Sequence, residues 1–415
     1  MSIDHTPILG CRVCESQALV KVIDLGNQAL TGVFPGSIRE NVPTGPLELM
    51  WCQECSLVQL STDYPASEMY GDNYGYRSGL NASMVEHLAQ IAARLEVQVG
   101  GLNTESVILD IGSNDGTLLG LYSASGAKRI GIDPTADKFR KFYANDIRVV
   151  PDFFSREAFN AVSRRPADII TTISMFYDLP DPIGFSRQVR DCLAADGVWM
   201  LEQSYMPSML RTTSYDTICH EHIEYYSLST IQRILREAEM RVIDVRFNRV
   251  NGGSFAVTAV RNESRLEGKP ELVQWFSAQE SRMRFDTIEP FRDFEARVFQ
   301  HRSDLRELIQ TLVGAGNKVM GLGASTKGNV LLQFCGLGPD LISGIADVNP
   351  DKHGRVTPGT GIPIISEEEA RSQNPDYFLV LPWHFREGIV QREYDFLRRG
   401  GGLIFPLPEI EIVGG

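Results

Sequence analysis

The fold is decided by the stretch L-D-I-G-S-N-D-G at residues 109–116. The apolar run S-V-I-L at 106–109 leads into it, and T-L-L-G-L-Y at 117–122 follows with helical spacing of its apolar residues. This order predicts a strand, a tight glycine turn and a helix start, as in a Rossmann-like α/β domain. Gly112 and Gly116 let the backbone turn sharply and approach a ligand. Asp110 ends the strand, at the edge where open α/β sheets bind their ligands.

A second acidic residue, Asp133, ends the next predicted strand, R-I-G-I-D at 129–133. A carboxylate there can accept hydrogen bonds from both hydroxyls of a ribose. The glycine loop lacks the G-x-G-x-x-G of dinucleotide sites, and Asp110 and Asp115 would repel phosphate. S-adenosylmethionine carries a sulfonium and an ammonium instead, so we predict its site at Asp110, Gly112, Asn114, Gly116 and Asp133. The alternative is a structural turn in some other Rossmann-like domain.

A further strand is predicted at R-V-V, residues 148–150, and P-D-F-F follows it at 151–154. Asp152 could meet the exocyclic amine of an adenine, and Phe153 or Phe154 could flank the ring. At least one of the two phenylalanines is expected in the hydrophobic core instead.

Length and charge limit the class of protein. The chain has 415 residues, which predicts two or three domains, and a net charge of −13 with no run rich in Lys or Arg. These features argue against nucleic acid or an anionic membrane as partner. No apolar run approaches the length of a membrane span, and the first residues lack the regions of a signal peptide. We therefore expect a cytoplasmic protein, and a monomer.

The first block of the chain is rich in cysteine. Cys11 and Cys14 form one C-x-x-C pair, and Cys52 and Cys55 form another. Four thiolates in two such pairs suit tetrahedral zinc with no open position, which predicts a structural site. A redox pair or a chance pairing is the alternative. The turn-rich segment 25–35 between the pairs could form a lip over a neighbouring site.

Two further stretches carry polar side chains suited to binding or catalysis. The loop at 70–79 is dense in tyrosine and glycine and could supply phenol hydroxyls to a ligand, although an ordinary loop is as compatible with its composition. The stretch C-H-E-H at 219–222 contains two of only seven histidines. Histidine is the natural general base at neutral pH, so His220 and His222 are candidates.

The C-H-E-H stretch leaves other interpretations open. It is not the H-E-x-x-H of zinc proteases, and a metal held by His220 and His222 would lack an obvious third ligand. A surface helix start with two hydrogen-bonded histidines is the alternative without function. The sequence N-G-G-S-F at 251–255 then predicts a turn and a strand.

The last third of the chain predicts one or two long helices at 265–312 and then a second α/β unit. Its first strand, at 318–323, runs into the small residues of A-S-T-K-G-N at 324–329. Small residues and a lysine at a helix start suit an anion such as a pyrophosphate, although this is not a P-loop. A polar loop at 347–355 and an aromatic, basic loop at 382–386 follow later strands.

Together, these motifs resemble the S-adenosylmethionine-dependent sugar C-methyltransferases that act on nucleotide-linked 4-keto-deoxysugars. The resemblance covers nearly the whole chain and includes the cysteine block, D-I-G-S-N-D-G, H-E-H, N-G-G-S-F, G-x-G-A-S-x-K-G-N, D-x-N-P-x-K-x-G-R and P-G-T-x-I-P-I at 358–364. It implies an α/β protein with a zinc-binding module at 1–76 and a central Rossmann-like class I methyltransferase domain at 77–262. Linker helices and a C-terminal Rossmann-like domain would occupy 263–415.

The resemblance also implies where a dTDP- or GDP-linked sugar would bind, which is between the last two domains. The residues expected to contact it are Asn251, Ser325, Lys327, Asn329, Asp347, Lys352, Arg355 and Trp383. The base of the family falls on His222, with Glu221 and Tyr76 beside it. Relatives have tyrosine where this chain has Cys219, and some have histidine where it has Tyr177 and Asp178.

The predicted chemistry starts with removal of a proton from the carbon next to a ketone. His222 would take this proton, and the enolate carbon (C-3) would attack the sulfonium methyl group. Tyr76 or a nearby donor would stabilise the enolate oxygen, and Glu221 could orient the imidazole. His220 is expected to be a neighbour only, while Asp178 or Tyr76 is the alternative base. Other interpretations are an O- or N-methyltransferase on a related sugar, or a non-catalytic sugar-nucleotide-binding scaffold.

Overall fold

The computed structural model describes residues 5–65, 77–123 and 126–415, and it contains three principal β-sheets with helices around them. No helix in the described ranges is long and apolar enough to cross a membrane. Short 3-10 helices lie at Ser78–Leu80, Arg140–Phe142, Phe176–Asp178, Tyr215–Thr217, Val250–Gly252, Pro350–Lys352 and Trp383–Phe385.

The N-terminal region is a small antiparallel structure. Its elements are β1 (Thr6–Pro7), β2 (Leu19–Ala29), β3 (Thr44–Cys52), β4 (Val58–Leu60) and β5 (Thr62–Asp63), and the first helix of the central region, α1 (Ala82–Gln98), follows them. Strands β2, β3 and β4 pair in sequence, and β1 pairs with β5. Helix α1 begins after Asn81, whose side chain accepts from the Ser83 backbone N–H. It covers the central sheet described next.

The central region contains a seven-stranded sheet. Its strands are β6 (Val107–Ile111), β7 (Lys128–Ile132), β8 (Ile147–Val150), β9 (Ala167–Ile173), β10 (Leu193–Ser204), β12 (Met240–Asn248) and β13 (Ser254–Arg261). The order is β12-β13-β10-β9-β6-β7-β8, with β13 antiparallel to both of its neighbours. The helices are α2 (Thr117–Leu121), α3 (Ala136–Phe139), α4 (Arg156–Val162), α5 (Pro182–Cys192), α6 (Met206–Arg211) and α7 (Leu228–Glu237).

Strand β6 shows why the central sheet forms as predicted. All five of its residues are buried, because helices cover both faces of the sheet. Ile108 packs against the apolar side of α1 on one face of the sheet. Leu109 and Ile111 point to the opposite face, where they join a separate hydrophobic cluster. The β6 carboxyl end therefore projects the glycine loop beyond the sheet.

One short strand of this region, β11 (Glu224–Tyr225), leaves the central sheet and pairs with β4 of the N-terminal sheet. The N-terminal sheet therefore takes a strand from residues that directly follow the H-E-H stretch.

The C-terminal region begins with two helices, α8 (Pro270–Arg282) and α9 (Glu289–Gly314), as the sequence predicts. A six-stranded sheet follows, built from β14 (Val319–Leu322), β15 (Ile345–Asp347), β16 (Ile364–Ser366), β17 (Tyr377–Val380), β18 (Gly402–Phe405) and β19 (Glu411–Gly414). The order is β16-β15-β14-β17-β18-β19, and only β19 runs antiparallel. The helices are α10 (Thr326–Cys335), α11 (Glu367–Ser372), α12 (Arg386–Arg392) and α13 (Tyr394–Arg398).

Helix α8 lies beyond the predicted end of the central domain but packs against β12 and α7 of that domain. Its buried Glu280 accepts from the Tyr205 hydroxyl and from the N–H groups of Leu228 and Ser229, which begin α7. Helix α9 contacts α10, β14 and β2, and it also contacts α6 of the central region. Both helices therefore pack against the central region as well as follow it in the chain.

Candidate active site

A cavity of about 670 Å³ opens at the carboxyl ends of β6, β7 and β9. The H-E-H loop and the first residues of α10 close its other side, so the central and C-terminal regions both contribute walls. This size and position are typical of a small-molecule site in an open α/β sheet.

The glycine loop forms one wall of the cavity. Gly112 has a φ of +73°, and its N–H donates to the Ile132 carbonyl at 2.8 Å. A Cβ on Gly112 would lie 3.1 Å from the Met175 side chain, so glycine suits both the turn and the space. Asn114, also at positive φ, lines the cavity, and its side chain accepts from the Ser78 N–H at 3.0 Å.

Asp133 lies at the carboxyl end of β7 and lines the cavity, as expected for a ribose acceptor. One of its carboxylate oxygens accepts from the Asn114 N–H at 2.9 Å, and the other accepts from the N–H and hydroxyl of Thr135 at 2.6 Å. These bonds fix the carboxylate and still leave it acceptor capacity for a ligand.

The expected adenine side is apolar. Phe153 is 53% exposed and lines the cavity, while Phe154 is half-buried and packs edge-on against Phe185 with ring centroids 5.2 Å apart. An exposed aromatic ring at the mouth of a cavity is available to stack on a planar ligand.

Three predicted cofactor residues do not line the cavity. The Asp110 carboxylate lies within the sheet, where it accepts from the Thr171 hydroxyl at 2.6 Å, and burial raises its pKa to about 7. Gly116 begins α2 under the Tyr143 ring, which a Cβ would approach to 2.5 Å. Asp152 is exposed, and its carboxylate accepts from the Phe153 N–H. These residues shape the loop and the sheet in this structure.

His222 lines the cavity from the opposite side, under the Tyr177 ring at a centroid distance of 4.2 Å. Its Nδ1 lies 3.1 Å from the Thr217 carbonyl oxygen. A carbonyl can only accept, so Nδ1 carries the proton and Nε2 keeps its lone pair. Burial, assisted by the charge of Lys327, lowers the pKa of His222 to about 3. The ring is therefore neutral near pH 7, as a general base must be.

His220 points away from the cavity. It is fully buried, with Nε2 3.3 Å from the Gly45 carbonyl oxygen and its ring edge-on to Tyr64. The two histidines of H-E-H therefore face different surroundings and form no joint metal site. His220 helps to fix the loop to the N-terminal sheet.

Glu221 and Asp178 line the cavity beside His222, but Glu221 does not orient the imidazole, since the Thr217 carbonyl does. The sequence prediction overlooked Thr217, although it belongs to the stretch that contains H-E-H. Gly32 of the predicted lip lies against Glu221, because a Cβ on Gly32 would lie 2.6 Å from Glu221 Oε1. Tyr76 lies outside the described residues.

The C-terminal region contributes Lys327 to the cavity. Its Nζ donates to the Asn251 carbonyl oxygen at 2.9 Å, and both residues line the cavity. Burial lowers the pKa of Lys327, and the nearby Asp216 opposes this effect. Trp383 lies behind, donating from Nε1 to Asp216 at 2.8 Å. Asp216, like Thr217, belongs to the stretch that contains H-E-H and is not among the predicted site residues.

The other predicted substrate residues have partners within the protein and do not line the cavity. Ser325 caps α10 by accepting from the Gly328 N–H. Asp347 accepts from the Ala324 N–H at 2.7 Å, and Lys352 donates to the Ala324 carbonyl at 2.6 Å.

Two of these predicted substrate residues hold the N-terminal lip. Asn329 donates to the Thr31 carbonyl at 2.7 Å, and Arg355 donates to the Phe34 carbonyl at 2.8 Å. The lip predicted at 25–35 therefore packs against the C-terminal region, and its Gly32 lies behind the cavity-lining Glu221.

The four predicted zinc ligands meet in space. The thiol sulfurs of Cys11, Cys14, Cys52 and Cys55 lie within 4.8 Å of one another, the only such metal-ligand cluster in the described ranges. Tetrahedral zinc holds its sulfur ligands at about 2.3 Å, which places them less than 4 Å apart, so the cluster fits this ion. Such a site is structural, because four thiolates leave no position for a substrate.

Comparison with family models covers most of the chain. Residues 11–70 match a family described as "Putative zinc binding domain", residues 81–245 match "Methyltransferase domain", and residues 249–408 match "C-methyltransferase C-terminal domain". The ranges follow the N-terminal, central and C-terminal regions in order.

Among known proteins, the chain is 31% identical over 413 residues to C-methyltransferase NovU of Streptomyces niveus, which covers 98% of this chain and 97% of that one. Solved structures match at lower similarity. A 1,6-didemethyltoxoflavin-N1-methyltransferase of Burkholderia thailandensis is 15% identical with a TM-score of 0.37, covering 50% of this chain and 96% of that one.

A second solved structure, mitomycin 7-O-methyltransferase MmcR, is 16% identical with a TM-score of 0.35, covering 44% of this chain and 55% of that one. The match to NovU covers nearly the full length of both chains, and the three family models match consecutive parts of this chain. Together these matches show the family of the chain. It belongs to the family of S-adenosylmethionine-dependent C-methyltransferases that carry an N-terminal zinc-binding domain.

Proposed function

We propose that the protein methylates carbon C-3 of a dTDP- or GDP-linked 4-keto-deoxysugar, next to the ketone. The observation that carries the proposal is the orientation of His222. Its Nδ1 faces the Thr217 carbonyl, which leaves Nε2 as an unprotonated nitrogen in a cavity bounded by the glycine loop. C-methylation needs such a base, because a carbon atom becomes nucleophilic only after it loses a proton.

The sugar nucleotide is proposed to lie between the central and C-terminal domains, at 77–262 and 263–415. The start of α10 supports this, since its first two residues, Thr326 and Lys327, line the cavity and the first N–H groups of a helix have no partner within the helix. A helix N-terminus with a cation suits a pyrophosphate. Asn251 lies on the opposite side, holding Lys327 through its carbonyl.

In the proposed reaction, S-adenosylmethionine supplies the methyl group and occupies the end of the cavity near Gly112 and Asp133. His222 Nε2 removes the C-3 proton, and a nearby donor, for which the sequence suggests Tyr76, stabilises the oxygen of the enolate. The protein holds nucleophile and methyl donor in line, so that proximity supplies much of the rate.

The test is to incubate the enzyme with dTDP- and GDP-linked 4-keto-deoxysugars and isotopically labelled methyl donor, and to locate the methyl group by NMR. The account predicts a carbon–carbon bond at C-3. A methyl group on oxygen or nitrogen would establish the alternative class of methyltransferase. Binding of sugar nucleotide without turnover of any candidate would favour the scaffold interpretation.

A further inference from the structure

Glu221 is a carboxyl group that lines the cavity, and no described residue places a cation at hydrogen-bond distance from it. The neighbouring imidazole offers it no donor, because the proton of His222 is on Nδ1, which faces the Thr217 carbonyl. Within the described part of the chain, Glu221 Oε2 is enclosed and makes no hydrogen bond. The other carboxyl oxygen, Oε1, lies against Gly32. A Cβ added at Gly32 would lie only 2.6 Å from it, so glycine leaves the room that Oε1 needs.

The surroundings of Glu221 favour its neutral form. Burial raises the pKa of Glu221, and the backbone N–H of Glu221 and the Cys219 thiol oppose this effect in part. The titratable groups that share the cavity wall are Cys219 and His222 on its own loop, Tyr177, Asp178 and Asp181 after β9, Asp133 at the end of β7, and Lys327 on α10. Enclosure without an ionic partner favours the protonated form of a carboxyl group, and a carboxylic acid is a hydrogen-bond donor.

We propose that Glu221 is the neutral acid that donates a hydrogen bond to the ketone oxygen of the substrate while His222 removes the neighbouring proton. This inference rests on the C-methylation proposed above and assigns the donor for its enolate oxygen. It also defines the substrate class, since a buried acid of this kind selects a carbonyl acceptor.

The electrons balance in two steps. His222 Nε2 takes the proton, the C–H pair forms the carbon–carbon double bond, and the carbonyl π pair moves to the oxygen that Glu221 holds. The double bond then attacks the methyl carbon, the carbon–sulfur bond breaks with its pair on sulfur, and the ketone forms again. Glu221 keeps its proton throughout, and His222 leaves the cycle protonated.

Two substitutions separate this role from others. Glu221→Gln keeps a neutral donor of nearly the same shape, and Glu221→Ala removes it. Removing one donor from an oxyanion site typically lowers the rate about 10²–10³-fold, so we expect that loss for alanine and less than about 10-fold loss for glutamine near pH 7. Calorimetric binding of S-adenosylhomocysteine, unchanged in both variants, serves as the folding control.

The pH profile of substrate α-hydrogen exchange in D₂O gives the decisive readout. A group with a raised pKa is lost as a donor when the pH rises through that pKa, so wild-type exchange should fall on the alkaline side. The fall should be absent in Glu221→Gln, although Lys327 and Cys219 are unchanged. An alkaline fall that persists in Glu221→Gln, or a glutamine variant as inactive as alanine, would overturn the role of Glu221. Absence of exchange and of methylation in wild type on every ketosugar would instead refute the proposed function.

Discussion

At the residue scale, the identity of the base depends on what each histidine of H-E-H contacts. His222 lines the cavity with Nε2 free, whereas His220 is enclosed between the Gly45 carbonyl and the Tyr64 ring. The two histidines, separated by one residue, therefore have separate roles: His222 faces the cavity and His220 fixes the loop.

Substituting His222 tests this division. His222→Asn removes the base and should lower methylation about 10²–10⁴-fold while S-adenosylhomocysteine still binds. His220→Asn should keep most of its turnover per folded molecule, because its side chain does not reach the cavity. Steady-state kinetics with a calorimetric binding check would measure both. Near-normal methylation by His222→Asn, with collapse on Asp178→Asn, would transfer the role to Asp178.

Because the pKa of His222 is low, we predict that kcat/KM does not fall in the pH range where an ordinary histidine becomes protonated. A base acts only when unprotonated, and burial with the nearby Lys327 lowers this pKa to about 3. We therefore expect kcat/KM to stay nearly constant from pH 7.5 down to about pH 5.5, as measured in overlapping buffers. A decline centred near 6.5, the ordinary histidine value, would mean that the imidazole is not held as described.

At the element scale, the lip at 25–35 joins the N-terminal region to the catalytic loop. Asn329 fixes the lip through the Thr31 carbonyl, and Gly32 follows in contact with Glu221. Because the neighbouring Thr31 is held in this way, the backbone of the lip can move little when a side chain is added at residue 32.

Gly32→Ala should disturb the position of Glu221 and lower kcat about 10-fold or more, with S-adenosylhomocysteine binding unchanged, because the new Cβ would lie 2.6 Å from Oε1. Gly36→Ala is the matched control, since that Cβ would lie 3.4 Å from the flexible Glu40 side chain. Equal rates for the two variants would show that the Gly32 contact does not matter.

The elements differ in how far the sequence could predict them. The strand–turn–helix at Gly112 is local, so the apolar run and the turn glycine predict it correctly. The partners of Asn329 and Arg355 lie about 300 residues earlier in the chain, and no local pattern reports such contacts. The orienting role of Thr217 is missed for a different reason, because its backbone carbonyl holds His222 and every residue type carries such a carbonyl. Strand β19 is also missed, although it pairs with the neighbouring strand β18.

At the scale of the whole molecule, the zinc-binding region holds the loop that contains H-E-H through hydrogen bonds and strand pairing. Arg12, between Cys11 and Cys14, donates to the Leu60 carbonyl at 3.1 Å and to the Ile223 carbonyl at 3.4 Å. Strand β11 then pairs with β4 immediately after His222. The metal cluster and the proposed base are thus connected through one small sheet.

Metal analysis should find about one zinc per chain, because four thiolates saturate the ion. Cys52→Ser should lose zinc and lower the midpoint of thermal unfolding, since metal binding is coupled to folding. Cys192→Ala, a buried cysteine outside the cluster, should keep the zinc. A metal-free wild type with the same unfolding midpoint as Cys52→Ser would contradict the site.

The central claim is that methylation proceeds through a carbanion-like enolate formed by His222. The most direct measurement uses a sugar nucleotide deuterated at C-3 and follows that deuterium by mass spectrometry and NMR during turnover. The account predicts that every methylated product has lost the deuterium, and that His222→Asn stops the loss. A methylated product that keeps the deuterium at C-3 would contradict the account.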